Sequence, residues 1–373
     1  MSFRNFVLFL LIAVIVVSCK LKDDGVSPGS GTRTYYMGFT PFPYDVTSQA
    51  LEYSYSKILS EADMVSHHFD DGIPWNEALE GTDFDPAIMS DWQYRKSKTP
   101  SGHKVLVSVT PINPSRDGLA LYKGSATNMP LTPPWDDYSL SNPSVKIAYL
   151  HYCKRIIDYF NPDYFCMGIE VNLLIDNDPS LNKWQAYLNL QSFVYSQLKI
   201  DYPYLPIFVS FSAMELVSGY TNSNHALQME GLDNIKKYTD YYALSLYPFL
   251  SNLGTDDLPS NFFDNIFTLS TKPLCITETG YPAQSDTVGT IIYNGTPDKQ
   301  NNYFTKLFAA ANTYNAKFII NFLIRDYDAL WKANGSPDDI NRVWKDTGLY
   351  DENGNARPAD KTWKQKLDAA LQQ

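Results

Sequence analysis

Two apolar patterns alternate along the chain. Short runs that are apolar at nearly every position suit strands buried on both faces. Longer stretches in which apolar residues recur every three or four positions suit helices with one buried face. The strand-like runs are 35–39, 63–67, 104–109, a run ending at Glu170, 207–211, 241–246, a run ending at Glu278, and 317–322. The helical stretches are 49–62, 86–98, 143–160, 182–202, 232–238, 261–269, 297–314 and 358–371. Asn142-Pro143 and Thr296-Pro297 mark two helix starts: a capping side chain, then a proline in the first turn. Eight strand–helix units in order predict a single α/β domain, a (β/α)8 TIM barrel over residues 34–373. Residues 111–142 and 285–294 read as long loops on the face where barrels place their sites. Asp351 to Asn355 lacks the ligand spacing of a calcium loop, and Asn353-Gly354 reads as a turn before the last helix.

The first residues read as an address. Arg4, the apolar run from Phe6 to Val17 and the small Ser18 make residues 1–18 a signal peptide, too short for a comfortable membrane span. Val16-Val17-Ser18-Cys19 resembles the bacterial lipobox. That resemblance implies cleavage before Cys19 and lipidation of Cys19, so that lipid alone would hold the protein at a membrane. Residues 19–33, with Lys20 to Asp24 and then Gly, Ser and Pro, read as a tether. The early acidic residues resemble a surface-export signal of Bacteroidota lipoproteins, which implies a lipid-anchored protein of the outer membrane or cell surface of a Gram-negative bacterium.

Charge and composition narrow the partners. A net charge of −11 and only 30 Lys and Arg against 41 Asp and Glu argue against nucleic acid and anionic lipid as ligands. The 27 Tyr and 7 Trp offer flat apolar faces with a polar edge, suited equally to stacking on sugar rings and to an aromatic core. Cys153, Cys166 and Cys275 fall in helix and strand patterns, without metal-site spacing and without CxxC. No cofactor, metal or disulfide is expected, and a monomer is.

In a barrel, residues at the C-terminal ends of the strands converge on one mouth. Here they include His67, His68, Asp70 and Trp75 after the second strand, and Asn113 and Arg116 after the third. Glu170 and Asn172 follow the fourth, Tyr247 the sixth, Glu278 and Tyr281 the seventh, and Arg325, Asp326 and Trp331 the eighth. Two carboxylates facing one cleft are the minimum equipment for glycoside hydrolysis, one protonated beside the leaving oxygen and one ionised beside the anomeric carbon. Strand alternation predicts that Glu170 and Asn172 point one way and Ile169 the other. It also sends only one of His67 and His68 to the cleft; His68 is taken as a sugar contact and His67 as a core histidine. Tyr247 is placed to donate a hydrogen bond to a nearby carboxylate. Trp75, Tyr281 and Trp331 are candidate sugar platforms, and rim packing is the competing reading for the two tryptophans.

Glutamates ending the fourth and seventh strands resemble the pattern of the retaining clan A glycosidases. Glu278-Thr279-Gly280-Tyr281-Pro282 and Ser245-Leu246-Tyr247-Pro248 resemble glycoside hydrolase family 53, the endo-β-1,4-galactanases. The resemblance implies Glu170 as acid/base, Glu278 as nucleophile and a β-linked polysaccharide, such as a β-galactan, as substrate. The chain departs from the pattern at Ile169, where the superfamily usually carries an Asn that contacts the sugar. A surface glycan-binding protein on a degenerate barrel is the alternative that this departure favours.

Overall fold

The computed structural model describes residues 31–372; the leader, Cys19 and most of the tether lie outside them. The strands are β1 Tyr36–Phe39, β2 Met64–Phe69, β3 Lys104–Val109, β4 Tyr164–Cys166, β5 in two segments (Ile207–Phe208 and Ser210–Ser212), β6 Tyr242–Leu246, β7 Leu274–Thr279 and β8 Phe318–Asn321. All pair in parallel, in the order β5-β4-β3-β2-β1-β8-β7-β6-β5. The sheet begins and ends on the two segments of β5, on either side of Val209, so the strands form a barrel.

The helices α1 Ser48–Glu61, α2 Pro86–Lys98, α3 Pro143–Phe160, α4 Asn182–Asp201, α5 His225–Ile235, α6 Phe262–Phe267, α7 Pro297–Thr313 and α8 Pro358–Leu367 follow the strands in turn. Caps fix several starts: Asn142 accepts from Ser144 N at 2.8 Å and Thr296 from Lys299 N at 3.2 Å. The helix expected at 232–238 instead runs His225–Ile235, because Asn224 caps it by accepting from Leu227 N at 3.3 Å. Residues 285–294, expected as loop, form an antiparallel hairpin of Ser285–Val288 with Ile291–Asn294. Short helices at Trp75–Glu80, Leu173–Asn177, Asp328–Ala333 and Asn341–Trp344 also interrupt stretches that the pattern left as loop. The turn at Asn353-Gly354 is formed, with Gly354 N donating to Asp351 O and Tyr350 bridging Ala356.

Alternation along the strands fills the barrel in layers. Met64, Leu106, Cys166, Phe208, Ala243, Cys275, Phe318 and Ile320 pack together inside it. One pleat higher on β2, β3 and β6 come Ser66, Ser108 and Ser245, all buried. One pleat higher again, β2 presents His68 and the chain leaving β6 presents Tyr247. This succession from apolar floor to small polar layer to functional mouth is what period-2 alternation produces in a closed sheet. Cys153, Cys166 and Cys275 are free and buried. No helix among the described residues is long and apolar enough to cross a membrane.

Candidate active site

Glu278 reaches the mouth through an irregularity. Cys275 faces the barrel interior and Ile276 the helix layer, so strict alternation would turn Glu278 outward. The β6–β7 register shifts between Leu244↔Ile276 and Ser245↔Glu278, and the β7–β8 register shifts over the same stretch. This extra residue reverses the phase, a common use of a β-bulge. Thr279 then faces outward, where its hydroxyl meets the Tyr303 hydroxyl of α7, and Glu278 faces in. Tyr247 OH donates to Glu278 Oε2 at 3.2 Å, and His68 Nδ1 lies 3.6 Å from Oε1. The His68 contact is not an ion pair: burial pushes its pKa down to about 4, so the ring is neutral at pH 7. Burial, then the Glu170 charge, push the Glu278 pKa well above the usual carboxylate range; Arg116 and the Tyr247 hydrogen bond oppose them.

Glu170 arrives differently from the expected strand end. β4 stops at Cys166, and the chain turns through Gly168, where a Cβ would lie 2.5 Å from Tyr187 OH and 2.8 Å from Val171 Cγ1. Glu170 itself is left-handed, with φ +49°. Ser210 holds the turn: its Oγ accepts from Glu170 N at 3.0 Å and its carbonyl accepts from Val171 N at 3.0 Å. The Glu170 carboxylate meets Arg116 Nη2 at 3.2 Å, and the same nitrogen lies 2.8 Å from Asp70 Oδ2. Arg116 is buried and also left-handed, with φ +54°.

The turn overturns the alternation argument for Asn172. Its carboxamide is fully buried, donating to Ser212 O and Gln228 Oε1 and accepting from Ser212 N. It pins the fourth loop to the fifth and has no free edge for a sugar. Trp75 is 0% exposed, stacked on Trp135 at 5.3 Å, with its indole N–H given to Ala120 O. Tyr281 stacks on Tyr303 of α7 at 5.2 Å and packs toward the helix layer. Trp331 is half-buried on the rim, donating to Pro337 O at 3.2 Å. Thus Glu170, Glu278, His68 and Tyr247 come together, Trp331 stands apart on the short helix after β8, and Trp75, Asn172 and Tyr281 are committed to packing. His67 is enclosed, bonded to Thr99 Oγ1 at 2.8 Å and packed on Phe160.

Two aromatic residues at the mouth were not singled out by the sequence. Phe322 lies 5.5 Å from His68 edge-on, and Trp344 lies 4.8 Å from Tyr247. Phe322 was within reach, two residues beyond the inward Ile320. Trp344 stands on a four-residue helix far from any strand and gave no signal. Asp326, Asp328 and Asp346 cluster on the rim, but Arg357 pairs with Asp326, and Lys345 with Asp328 and Asp346. Each of the three carboxylates already has a cationic partner, so the cluster is a salt-bridge network with one net negative charge and is not read as a metal site.

Solved structures carry the same architecture. A GH5_18 protein from Bifidobacterium longum subsp. longum matches with a TM-score of 0.63 over 91% of this chain and 81% of its own, at 13% identity. An exo-β-1,4-mannosidase from an Opitutaceae bacterium matches at TM-score 0.60 and 13% identity, over 89% of this chain and 58% of its own. The GH53 catalytic domain of Ignisphaera aggregans matches at TM-score 0.55 and 16% identity, over 92% and 98%. The fold is the (β/α)8 barrel that these glycoside hydrolase structures also have. No family model matches the sequence, and no curated protein is similar to it. At these identities the likeness concerns the barrel, and the chemistry has to be argued from the mouth.

Proposed function

We propose that the chain is a retaining β-glycoside hydrolase of the cell envelope, held to the outer membrane by lipid on Cys19. Glu278 attacks the anomeric carbon and forms the glycosyl-enzyme. Glu170 protonates the leaving oxygen and then takes a proton from the incoming water. The observation that carries this reading is the pair itself: two carboxylates from opposite sides of the mouth, close enough to perturb one another, one held by Tyr247 and the other by Arg116. Tyr247 supports Glu278 as the group that must be ionised to attack. Phe322 and Trp344 supply apolar surface beside it. The anionic chain, and neighbours that include an exo-β-1,4-mannosidase and a GH53 domain, favour an uncharged β-linked polysaccharide, with β-1,4-galactan and β-1,4-mannan first on the panel.

A second reading keeps the barrel as a surface glycan-binding protein. Two observations favour it: Ile169, 1% exposed, carries no hydrogen-bonding group where the clan usually has one, and Arg116 lies against the carboxylate that must act as an acid. Reducing-sugar release from β-linked polysaccharides by the lipid-free protein separates the two. Release that disappears in Glu278→Ala, with the first-formed product in the β configuration, supports a retaining hydrolase. Glycan binding that persists in Glu278→Ala, with no release by wild type, supports the binding protein.

A further inference from the structure

Beside the carboxylates, on the same face of the barrel, the loops after β5, β6 and β7 enclose a groove of about 540 Å³. That volume is in the range of small-molecule sites, ~300–1,000 Å³. Glu215 and Asn222 line one side, Phe249 and Asn252 the loop after β6, and Ile291 and Ile292 of the hairpin the other. One wall residue of the groove neighbours the mouth: buried Phe249 lies 5.9 Å from Tyr247, whose hydroxyl donates to Glu278. Glu215 also feels the Glu170 charge.

Three features mark it as built for a ligand. Glu215, half-buried on the wall, puts a carboxyl group there whose pKa is raised by burial, the mark of a carboxylate short of compensating donors. Ile291 and Ile292 are 57% and 65% exposed on a hairpin whose base is fixed: Asn294 N donates to Thr255 Oγ1 at 2.6 Å, and Arg342 pairs with Asp286 at 3.1 Å. Exposed apolar residues on a firmly anchored projection are preorganised contact surface. No Lys or Arg lines the groove, whereas Glu215 and Asp256 do.

We propose that this groove is an additional sugar subsite, taking the next uncharged pyranose of a β-linked chain whose scissile bond lies at Glu170 and Glu278. Its hydroxyls donate to Glu215, and its apolar C–H face covers Ile291 and Ile292. The carboxylates on the wall disfavour uronic and sulfated sugars. The inference rests on the glycan-cleft reading of the mouth and extends it: the enzyme acts on chains longer than a disaccharide.

The test compares wild type with the Ile291→Ser/Ile292→Ser double variant on p-nitrophenyl β-glycosides and on β-1,4-linked hexasaccharides of galactose, mannose and glucose. Both positions are exposed, so the variant keeps the fold. The readout is the kcat/KM for the hexasaccharide divided by that for the aryl glycoside of the same sugar. Loss of the apolar cover lowers this ratio by about tenfold. An unchanged ratio, or equal losses on both substrates, overturns the subsite. If wild type cleaves none of these, the hydrolase reading fails, and calorimetric titration with the hexasaccharides decides the subsite. Binding about tenfold weaker in the variant then supports it; equal affinity, or no binding by wild type, overturns it.

Discussion

Glu170 sits at φ +49°, a conformation in which an L-residue with a Cβ is strained. The strain is imposed by the Ser210 clamp and by the close packing at Gly168, and it falls on the residue proposed as the acid/base, as backbone strain at functional sites often does. Its size can be isolated with two truncations, Glu170→Ala and Glu170→Gly. Both delete the carboxylate, so both lose the Arg116 contact and both relieve Glu278 of its neighbour's charge; those effects cancel in the difference. What remains is the Cβ. Left-handed backbone costs a non-glycine residue ~1–2 kcal/mol. Glycine gives back ~0.4–1 kcal/mol through its greater freedom in the unfolded chain. The difference leaves Glu170→Gly more stable than Glu170→Ala by about 0.5–1 kcal/mol, the reverse of the usual order at an unstrained position. Urea unfolding of the two purified variants reads it directly. If the alanine variant is as stable as the glycine variant or more so, Glu170 is not strained and this account of how the fourth loop presents it is wrong.

Glu278→Gln is expected to melt higher than wild type at pH 8, with the gap closing by pH 5. The folded-state pKa of Glu278 is raised, so its contribution to stability is fully present below the unfolded value near 4.5 and is lost as pH rises through the folded value; melting curves across that window check it. Tyr247→Phe removes a hydrogen bond of 3.2 Å to a buried carboxylate, which is worth about 1.5–3 kcal/mol for a charged acceptor. Activity should fall ~10–100-fold, with the acidic limb of the pH–kcat/KM profile moving up; a fall with an unmoved limb would make Tyr247 merely structural. Asp70→Asn should lower kcat at least tenfold while leaving hexasaccharide affinity in a Glu278→Gln background within twofold, measured by turnover and calorimetry.

Much of the barrel was legible because it is written in local patterns. The run Lys104–Val109 and the Pro-initiated helices Pro86–Lys98 and Pro143–Phe160 are found where residue type alone placed them. The alternation that sends His68 inward and His67 outward follows from regular β2 pleating. The errors fall where regularity breaks. Alternation placed Asn172 beside Glu170, but the chain leaves the strand at Cys166, and nothing local to residues 167–172 announces a left-handed glutamate. Glu278 is turned inward by a bulge that depends on the register with both neighbouring strands, a long-range property. The hairpin at 285–294 was hidden because its polar strand, Ser285–Val288, carries no apolar run. Trp75 and Tyr281 were read by their type, yet the indole N–H of one and the ring of the other had found partners within the fold.

The charges at the mouth set a condition on any catalytic account. Hydrolysis needs a protonated acid and an ionised nucleophile, and two interacting carboxylates share their protons as a pair. In the free protein the positive charge lies with Arg116, on the Glu170 side, while Glu278 faces a neutral imidazole and a phenol. Burial and the Glu170 charge therefore raise the pKa of Glu278, against the ionised form that a nucleophile needs. The reacting state needs Glu278 ionised and Glu170 protonated, and this is where Asp70 matters. Arg116 is nearer to Asp70, at 2.8 Å, than to Glu170, at 3.2 Å. When Glu170 becomes neutral the buried guanidinium keeps an anion, and no uncompensated charge is left in the barrel, a state that costs several kcal/mol. With asparagine at position 70, Arg116 would have only Glu170, and protonating Glu170 would strand it. A glycan-binding protein has no need of this second anion, because neither carboxylate ever has to change its charge; a glycosidase built on this mouth does.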